Sequence, residues 1–253
     1  MFHYAVPLRA KQTSNNWEEV CQLLEATIKS IAAGAGDYQI VVACHDAPVF
    51  SSGYQNDRVS FVKVWHPVPT DKSGYMADKS SKKNVARRKI LETAKPGDYF
   101  MFIDADDLVS KDFSRQIEAM FSRNPDADDI TLYTGYVLDA GRDKVSYLDG
   151  VSKVFYKSCG SCFISKLDER DCAGIEEKDT FLFSLKDHTK FPDSSLAFGR
   201  SVMAMKTPVV CYIMNHGSND TSERVSASHI ESFVDSFICK DEKYLERYNE
   251  NFK

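Results

Sequence analysis

Asp104, Asp106 and Asp107 place three carboxylates within four residues, directly behind the apolar run Tyr99-Phe-Met-Phe-Ile103. Like charges so close repel one another unless a cation neutralises them, and hard oxygen ligands suit Mg²⁺ or Mn²⁺. A strand that ends in such a tip holds its acids at the carboxyl edge of an open α/β sheet, where ligands bind. Asp107 has a competing role as the N-cap of a helix behind it. A cation held by one or two carboxylates completes its shell with water and substrate phosphates. Asp104 and Asp106 therefore predict a metal and a diphosphate together. Upstream, Lys79, Lys82, Lys83, Arg87, Arg88 and Lys89 crowd one segment, and helical spacing sets Lys79, Lys83 and Arg87 on a shared face. That face either meets the phosphates or is solvated. His216, in Tyr212-Ile-Met-Asn-His-Gly-Ser-Asn219, offers an imidazole after a strand. A lone loop histidine is more often a hydrogen-bonded surface residue, so its spacing alone does not make it a ligand.

Other reactive side chains point to less. The chain has 7 cysteines, most of them single in apolar or helical stretches, as reduced thiols usually are. Cys159-Gly-Ser-Cys162 matches a bare C-x-x-C, but no second pair completes a zinc site, and a strand over 158–165 would turn the two thiols to opposite faces. Trp65, His66, Pro67, Tyr75, Tyr133 and Tyr136 are able to form stacking surfaces, yet aromatics in α/β proteins are mostly core, and no role is assigned to them. With 32 Lys and Arg against 37 Asp and Glu, the net charge of -5 gives no footprint for nucleic acid. No apolar run approaches the ~18 residues of a membrane span, and Met1-Phe2-His3-Tyr4 lacks the start of a secretion signal. The expected location is cytoplasmic.

The elements that must position these groups are legible in the first half. Strands are expected at 2–7, 38–44, 59–64 and 99–103, the last nearly all apolar and so central. A helix begins near Trp17, capped by Ser14 or Asn15 and ended by Gly34-Ala-Gly36, and a basic helix runs over 78–94, before Pro96-Gly97. Another helix is expected over 107–123. Beyond it, 130–138, 145–148, 153–156 and 158–165 read as strands, 176–185 as a short helix, 196–205 with 209–214 as a hairpin, and 230–248 as helix broken near Lys240. The fold class is thus α/β, a mostly parallel sheet flanked by helices with a smaller antiparallel lobe. One domain is expected over 1–225, in halves 1–107 and 108–225, followed by a helical segment over 226–253 that packs on it, dimerises or touches a membrane surface.

From Tyr4 to about Ser222 the pattern resembles the family 2-like glycosyltransferases of GT-A fold. Val6-Pro7-Leu8-Arg9 is similar to that family's first strand and nucleotide-contacting loop, and Val41-Val-Ala-Cys-His45-Asp46 to its second strand, whose terminal acid lies near the base. Lys82, Lys83 and Arg87 resemble the basic helix ahead of the metal motif. Asp104-Ala105-Asp106 matches the D-x-D that holds a cation against the donor diphosphate, and His216, with Asn219 behind it, resembles the late histidine that completes the metal shell. Two departures stand out. His45-Asp46-Ala-Pro48 replaces the usual acidic pair followed by Gly and Ser, and the E-D pair of the catalytic base is missing, with Lys186-Asp187-His188 in its place.

The resemblance implies inverting transfer of a sugar from a nucleoside-diphosphate donor, UDP-linked by preference, to a hydroxyl of a saccharide or glycolipid in polysaccharide or glycoconjugate synthesis. Mn²⁺ or Mg²⁺ on Asp104, Asp106 and His216 would carry leaving-group charge. Pro7, Arg9, Asp46, Lys83, Arg87, Asp104 and Ala105 would contact the donor, and Asp187 would take the acceptor proton, with Asp179 and Asp193 as rivals and His188 orienting it or contacting acceptor. Two other functions compete: a nucleotide-sugar-binding domain without turnover, and a haloacid-dehalogenase-like phosphatase. The latter motif normally follows the first strand, whereas three strands precede Asp104.

Overall fold

The computed structural model describes residues 1–34, 36–173, 180–217 and 226–253. Its first half runs Phe2–Pro7 (β1), Trp17–Ala32 (α1), Tyr38–Cys44 (β2), Val59–Lys63 (β3), Tyr75–Leu91 (α2) and Tyr99–Phe102 (β4). The second runs Leu108–Val109 (β5), Phe113–Arg123 (α3), Asp129–Leu132 (β6), Gly135–Asp139 (β7), Lys144–Leu148 (β8) and Phe163–Lys166 (β9). Short helices Glu169–Cys172 (α4), Phe181–Ser184 (α5) and Phe191–Ala197 (α6) precede Val202–Met205 (β10), Val210–Met214 (β11), Ala227–Ser236 (α7) and Glu242–Phe252 (α8).

A seven-stranded sheet has the order β10-β6-β9-β4-β1-β2-β3. β4, β1, β2 and β3 are parallel, and β9 is inserted antiparallel to both β4 and β6. All six residues of β1 are buried, which explains why it reads as apolar without alternation: both of its faces are covered. α1 buries Val20, Leu24, Ile28 and Ile31 at helical spacing, and each large aliphatic side chain removed from water contributes roughly 1.5–3 kcal/mol. Its cap is Asn16, whose side chain accepts from the Glu19 N–H at 3.3 Å, rather than Ser14 or Asn15.

α2 is unusual. It packs against β1 and β2, yet its buried residues are Lys82, Lys83, Ala86, Arg87 and Ile90, so its inward face is largely cationic. It also starts at Tyr75, nearly a turn before the expected Asp78.

Other boundaries differ from the sequence expectation. The helix expected over 107–123 begins only at Phe113, because Leu108–Val109 pairs with β11 first. The strand expected over 130–138 splits into β6 and β7, which belong to different sheets. Gly135 opens β7 beneath the ring of Phe155, and a Cβ there would lie 2.3 Å from ring carbons. Residues 153–156 hold a 3₁₀ turn, Phe155–Lys157, instead of a strand. β10 and β11 form no hairpin: β10 lies at the edge of the large sheet, and β11 sits in a four-stranded sheet of order β5-β11-β7-β8. A short apolar run shows that it will be buried, not which sheet will receive it.

The break expected near Lys240 separates α7 from α8, and both pack on the small sheet. Ser146 Oγ donates to the Val234 carbonyl at 2.6 Å, and Tyr136 Oη to the Tyr244 carbonyl at 2.8 Å. Among the described residues no helix is long and apolar enough to cross a membrane.

Candidate active site

β1 and β4 are parallel neighbours in register, Ala5 opposite Phe102, so their carboxyl ends release Pro7-Leu8-Arg9 and Asp104-Ala105-Asp106 side by side. Both segments line one open cleft. Tyr75, Asp78, Lys79 and Lys82 of α2 form another wall, and Tyr212 and His216 close it from the small-sheet side.

The three acids of the tip have different surroundings. Asp104 accepts from Lys79 Nζ at 2.9 Å. Burial by itself would raise its carboxyl, but Lys79 and Lys83 outweigh burial and hold it down at about 2. Asp106 Oδ2 lies 3.0 Å from His216 Nε2, and this is the pair in the tip that joins a carboxylate to an imidazole. Asp107 is wholly buried and caps no helix. Burial and the charges of Asp106 and Asp104 push its carboxyl well above the usual range, against the hydrogen bond from Ser161.

The donor atoms of Asp104, Asp106 and His216 do not all gather within 4.8 Å of one another, as one other set among the described residues does. Asp106 with His216 nonetheless fits a divalent ion: one carboxylate and one imidazole leave most of a coordination shell to phosphate and water. Asp104 is engaged beside them by Lys79.

The loop that supports the acids was not legible as such in the sequence. Ser161 Oγ donates to Asp107 Oδ2 at 2.5 Å and accepts from the Asp104 N–H at 2.9 Å, bridging both ends of the acidic turn. Gly160 passes so close that an added Cβ would lie 3.0 Å from Asp104 Oδ2. Cys159 Sγ donates to Asp107 at 3.3 Å, and both Cys159 and Cys162 are buried, with burial pushing their thiols up. Cys159 precedes β9 rather than lying on it. The C-x-x-C spacing thus marks a backing loop for the acids, and a Gly-Ser pair between two small apolar residues was its only signal.

The cations divide into two groups. Arg9 and Lys79 face the cleft, and the Arg9 guanidinium sits 5.0 Å over the Tyr75 ring while its Nε donates to the Thr13 carbonyl at 2.9 Å. Lys83 lies under the site, 5.0 Å from the Phe102 ring centre, and burial lowers its pKa while Asp104 opposes the shift. Arg87 is turned away: its guanidinium stacks 3.4 Å from the Phe183 ring centre and donates to the Leu182 carbonyl and Asn84 Oδ1. The face expected to carry Lys79, Lys83 and Arg87 to phosphate delivers only Lys79 to the cleft lining.

Asp46 stands outside the lining, accepting from the Lys11 N–H at 3.1 Å. Asp187 is exposed and caps the 3₁₀ turn His188–Lys190. Its carboxylate is held below the usual range first by the Thr189 hydroxyl, at 2.8 Å, and then by the Thr189 N–H. His188 Nδ1 is 4.0 Å from Asp187 Oδ1, and its imidazole feels Lys83, Asp104 and Lys79. Burial and Lys83 lower its pKa. Asp193 is exposed in the first turn of α6, and Asp179 and Asn219 lie outside the described residues.

No protein-family model matches the chain, and no curated protein matches it. Solved structures do. S. aureus TarS residues 1–349 superposes with a TM-score of 0.50 at 13% identity, covering 84% of this chain and 60% of that one. A longer S. aureus TarS structure gives 0.52 at 14%, covering 88% and 38%. The mannosyltransferase PcManGT from Pyrobaculum calidifontis, in complex with GDP-Man and Mn²⁺, gives 0.46 at 14%, covering 85% and 56%. The chain spans less than two thirds of the length of each. Its fold is the GT-A-like glycosyltransferase fold.

Proposed function

We propose that the chain transfers a glycosyl group from a nucleoside-diphosphate sugar, UDP-linked by preference, to a hydroxyl of a saccharide or glycolipid acceptor, with inversion at the anomeric carbon. One observation carries this reading: a single cleft at the carboxyl ends of β1 and β4 contains the D-x-D acids, the late histidine and a set of fixed cations. Fold alone does not specify chemistry, so the argument rests on the site.

Asp106 and His216 would hold Mn²⁺ or Mg²⁺, which when bound offsets charge on the departing diphosphate. Arg9 and Lys79 add positive charge in the same cleft, placed before reaction so that no reorganisation is needed when charge develops. Lys79 and Lys83 hold the Asp104 carboxylate down, and the Asp104 contact in turn keeps Lys79 in place. Arg87 braces α2 against α5 and does not contact donor. The acceptor oxygen attacks C1 as the C1–O bond to phosphate breaks, the nucleoside diphosphate leaves on the opposite face with the bonding pair, and the hydroxyl proton passes to Asp187. An ionised Asp187 is competent to accept it, although its depressed pKa makes it a modest base. Beside it, His188 links acceptor side and metal side electrostatically.

The test is calorimetric titration of nucleotide sugars with and without Mn²⁺, followed by product release with saccharide acceptors. Binding that requires Mn²⁺ and disappears in Asp106→Asn supports the reading. Donor binding indifferent to Mn²⁺ and to Asp106→Asn would sink it.

A further inference from the structure

Beside the donor cleft, His45, His66 and Asp78 face one another where three segments meet. His45 follows β2, His66 lies just beyond β3, and Asp78 is in the first turn of α2. One potential ligand atom from each lies within 4.8 Å of the other two. The two imidazoles meet edge to face, with ring centres 4.9 Å apart.

Their hydrogen bonds leave one position unfilled. His45 Nε2 is 2.9 Å from the His66 carbonyl oxygen, which only accepts, so Nε2 carries the proton. His45 Nδ1 on the opposite side is buried and has no hydrogen-bond partner among the described residues, and only 9% of the side chain is exposed. Asp78 Oδ1 stands 3.8 Å away, too far for a hydrogen bond in either protonation state of the ring. The same Oδ1 is 2.8 Å from His66 Nε2, while Oδ2 is taken by Lys82 Nζ at 2.7 Å. A buried ring nitrogen and a carboxylate oxygen therefore face each other across a gap, with a second imidazole at its side. A donor from one imidazole nitrogen to a backbone carbonyl is also the usual support for a metal ligand on the other nitrogen, because it fixes tautomer and ring orientation.

We propose that His45 Nδ1, His66 Nε2 and Asp78 Oδ1 bind a divalent transition-metal ion of the zinc class. Two imidazoles and one carboxylate suit Zn²⁺ better than Mg²⁺ or Ca²⁺, which prefer oxygen-rich shells. Three protein ligands leave a fourth position for water. Lys82 stays on the far oxygen of Asp78, at 2.7 Å, and leaves Oδ1 to the ion. The ion ties β2 and the segment after β3 to α2, one residue before the Lys79 that contacts Asp104. It thereby fixes a wall of the donor cleft without entering the transfer chemistry, and it is independent of whether transfer occurs.

The experiment uses the metal-free full chain carrying Asp104→Asn and Asp106→Asn, which silences the acidic tip, titrated with Zn²⁺ by calorimetry and with Co²⁺ by absorbance. The expected result is one equivalent of tightly bound Zn²⁺, a raised Tm and a Co²⁺ ligand-field spectrum of low coordination number. Adding His45→Gln or, separately, His66→Gln should weaken that equivalent by more than the ~10–100-fold that losing a mere supporting residue costs. Circular dichroism and cooperative unfolding verify that each variant is folded. In the wild-type chain, with the acidic tip unchanged, the same His45- and His66-dependent equivalent of Zn²⁺ should be present. Absence of Zn²⁺ uptake in both backgrounds, or uptake unchanged by both histidine substitutions, overturns the proposal.

Discussion

Two buried clusters of opposite charges are finished in different ways. At the start of β6, Arg200 is enclosed: Nε and Nη2 donate to Asp129 at 2.9 and 3.2 Å, Nη1 reaches Asp168 and Asp171 at 3.2 and 3.3 Å, and Nη2 also donates to the Lys166 carbonyl at 2.8 Å. The Phe181 ring lies 4.5 Å from its guanidinium carbon. Its donors are spent within the fold, so the cluster is a structural bolt. At the end of β4, Asp104, Asp106, Lys79 and His216 are paired as well, but they line an open cleft and keep lone pairs and field directed into it. Buried charge alone does not distinguish a site from a brace; what distinguishes them is whether the remaining coordinating capacity faces protein or a cavity.

Substitutions can break this contrast. The largest effect is expected from Arg200→Ala, which strands the Asp129 carboxylate and should cost ~3–5 kcal/mol of stability, read as a lower denaturant midpoint. Next, Asp106→Asn should leave that midpoint nearly unchanged while lowering turnover by ~10²–10³, as for removal of a charge-stabilising group. Asp187→Asn should spare donor binding and reduce turnover at the lower end of general-base effects, ~10²-fold. His188→Gln, measured alongside it, tells whether the imidazole shares that role: equal losses in both variants would move the base assignment off Asp187 alone.

Acid titration sharpens the comparison with a smaller signal. Asp104 has a folded pKa of about 2, below the ~3.9 of an unfolded Asp. Between those values the unfolded chain binds more protons, so stability rises with pH there. The contribution, on the order of 2 kcal/mol, is complete above about pH 4 and is lost as pH falls toward 2. Asp129 and Asp171, whose carboxyls burial raises despite Arg200, contribute with the opposite sign. Lys79→Ala should therefore flatten the acid limb of the stability profile, whereas an unchanged limb would remove Asp104 as its cause. The mildest change is Gly160→Ala, which crowds Asp104 Oδ2 and should weaken metal-dependent donor binding several-fold with little loss of Tm.

Local pattern went far in the first half. β1, α1, β2 and the D-x-D strand lie where apolar periodicity put them, because each is buried on faces that its own residues define. It went less far in the second half, where short runs have to choose between two sheets, as 130–138 does when it divides at Gly135. Among site residues, Pro7, Arg9, Asp104, Ala105, Asp106 and His216 come together in the cleft. Arg87 does not, because helical spacing predicts a face but not which neighbours occupy it: here α5 and its Phe183 take the guanidinium. Asp46 and Asp187 also lie outside the lining: Asp46 accepts from the N–H of Lys11, a distant residue in the chain, and Asp187 from the nearby Thr189 N–H.

By itself the sequence determined that an apolar strand ends in acids, that a basic helix precedes it, and that an imidazole waits in a late loop. These are properties of near neighbours along the chain, set by side-chain chemistry and period. Only the tertiary structure decided that Asp106 pairs with His216 over 110 residues, that Ser161 backs the acidic turn, and that His45, His66 and Asp78 converge. Such meetings depend on how distant segments pack, and no local spacing encodes them.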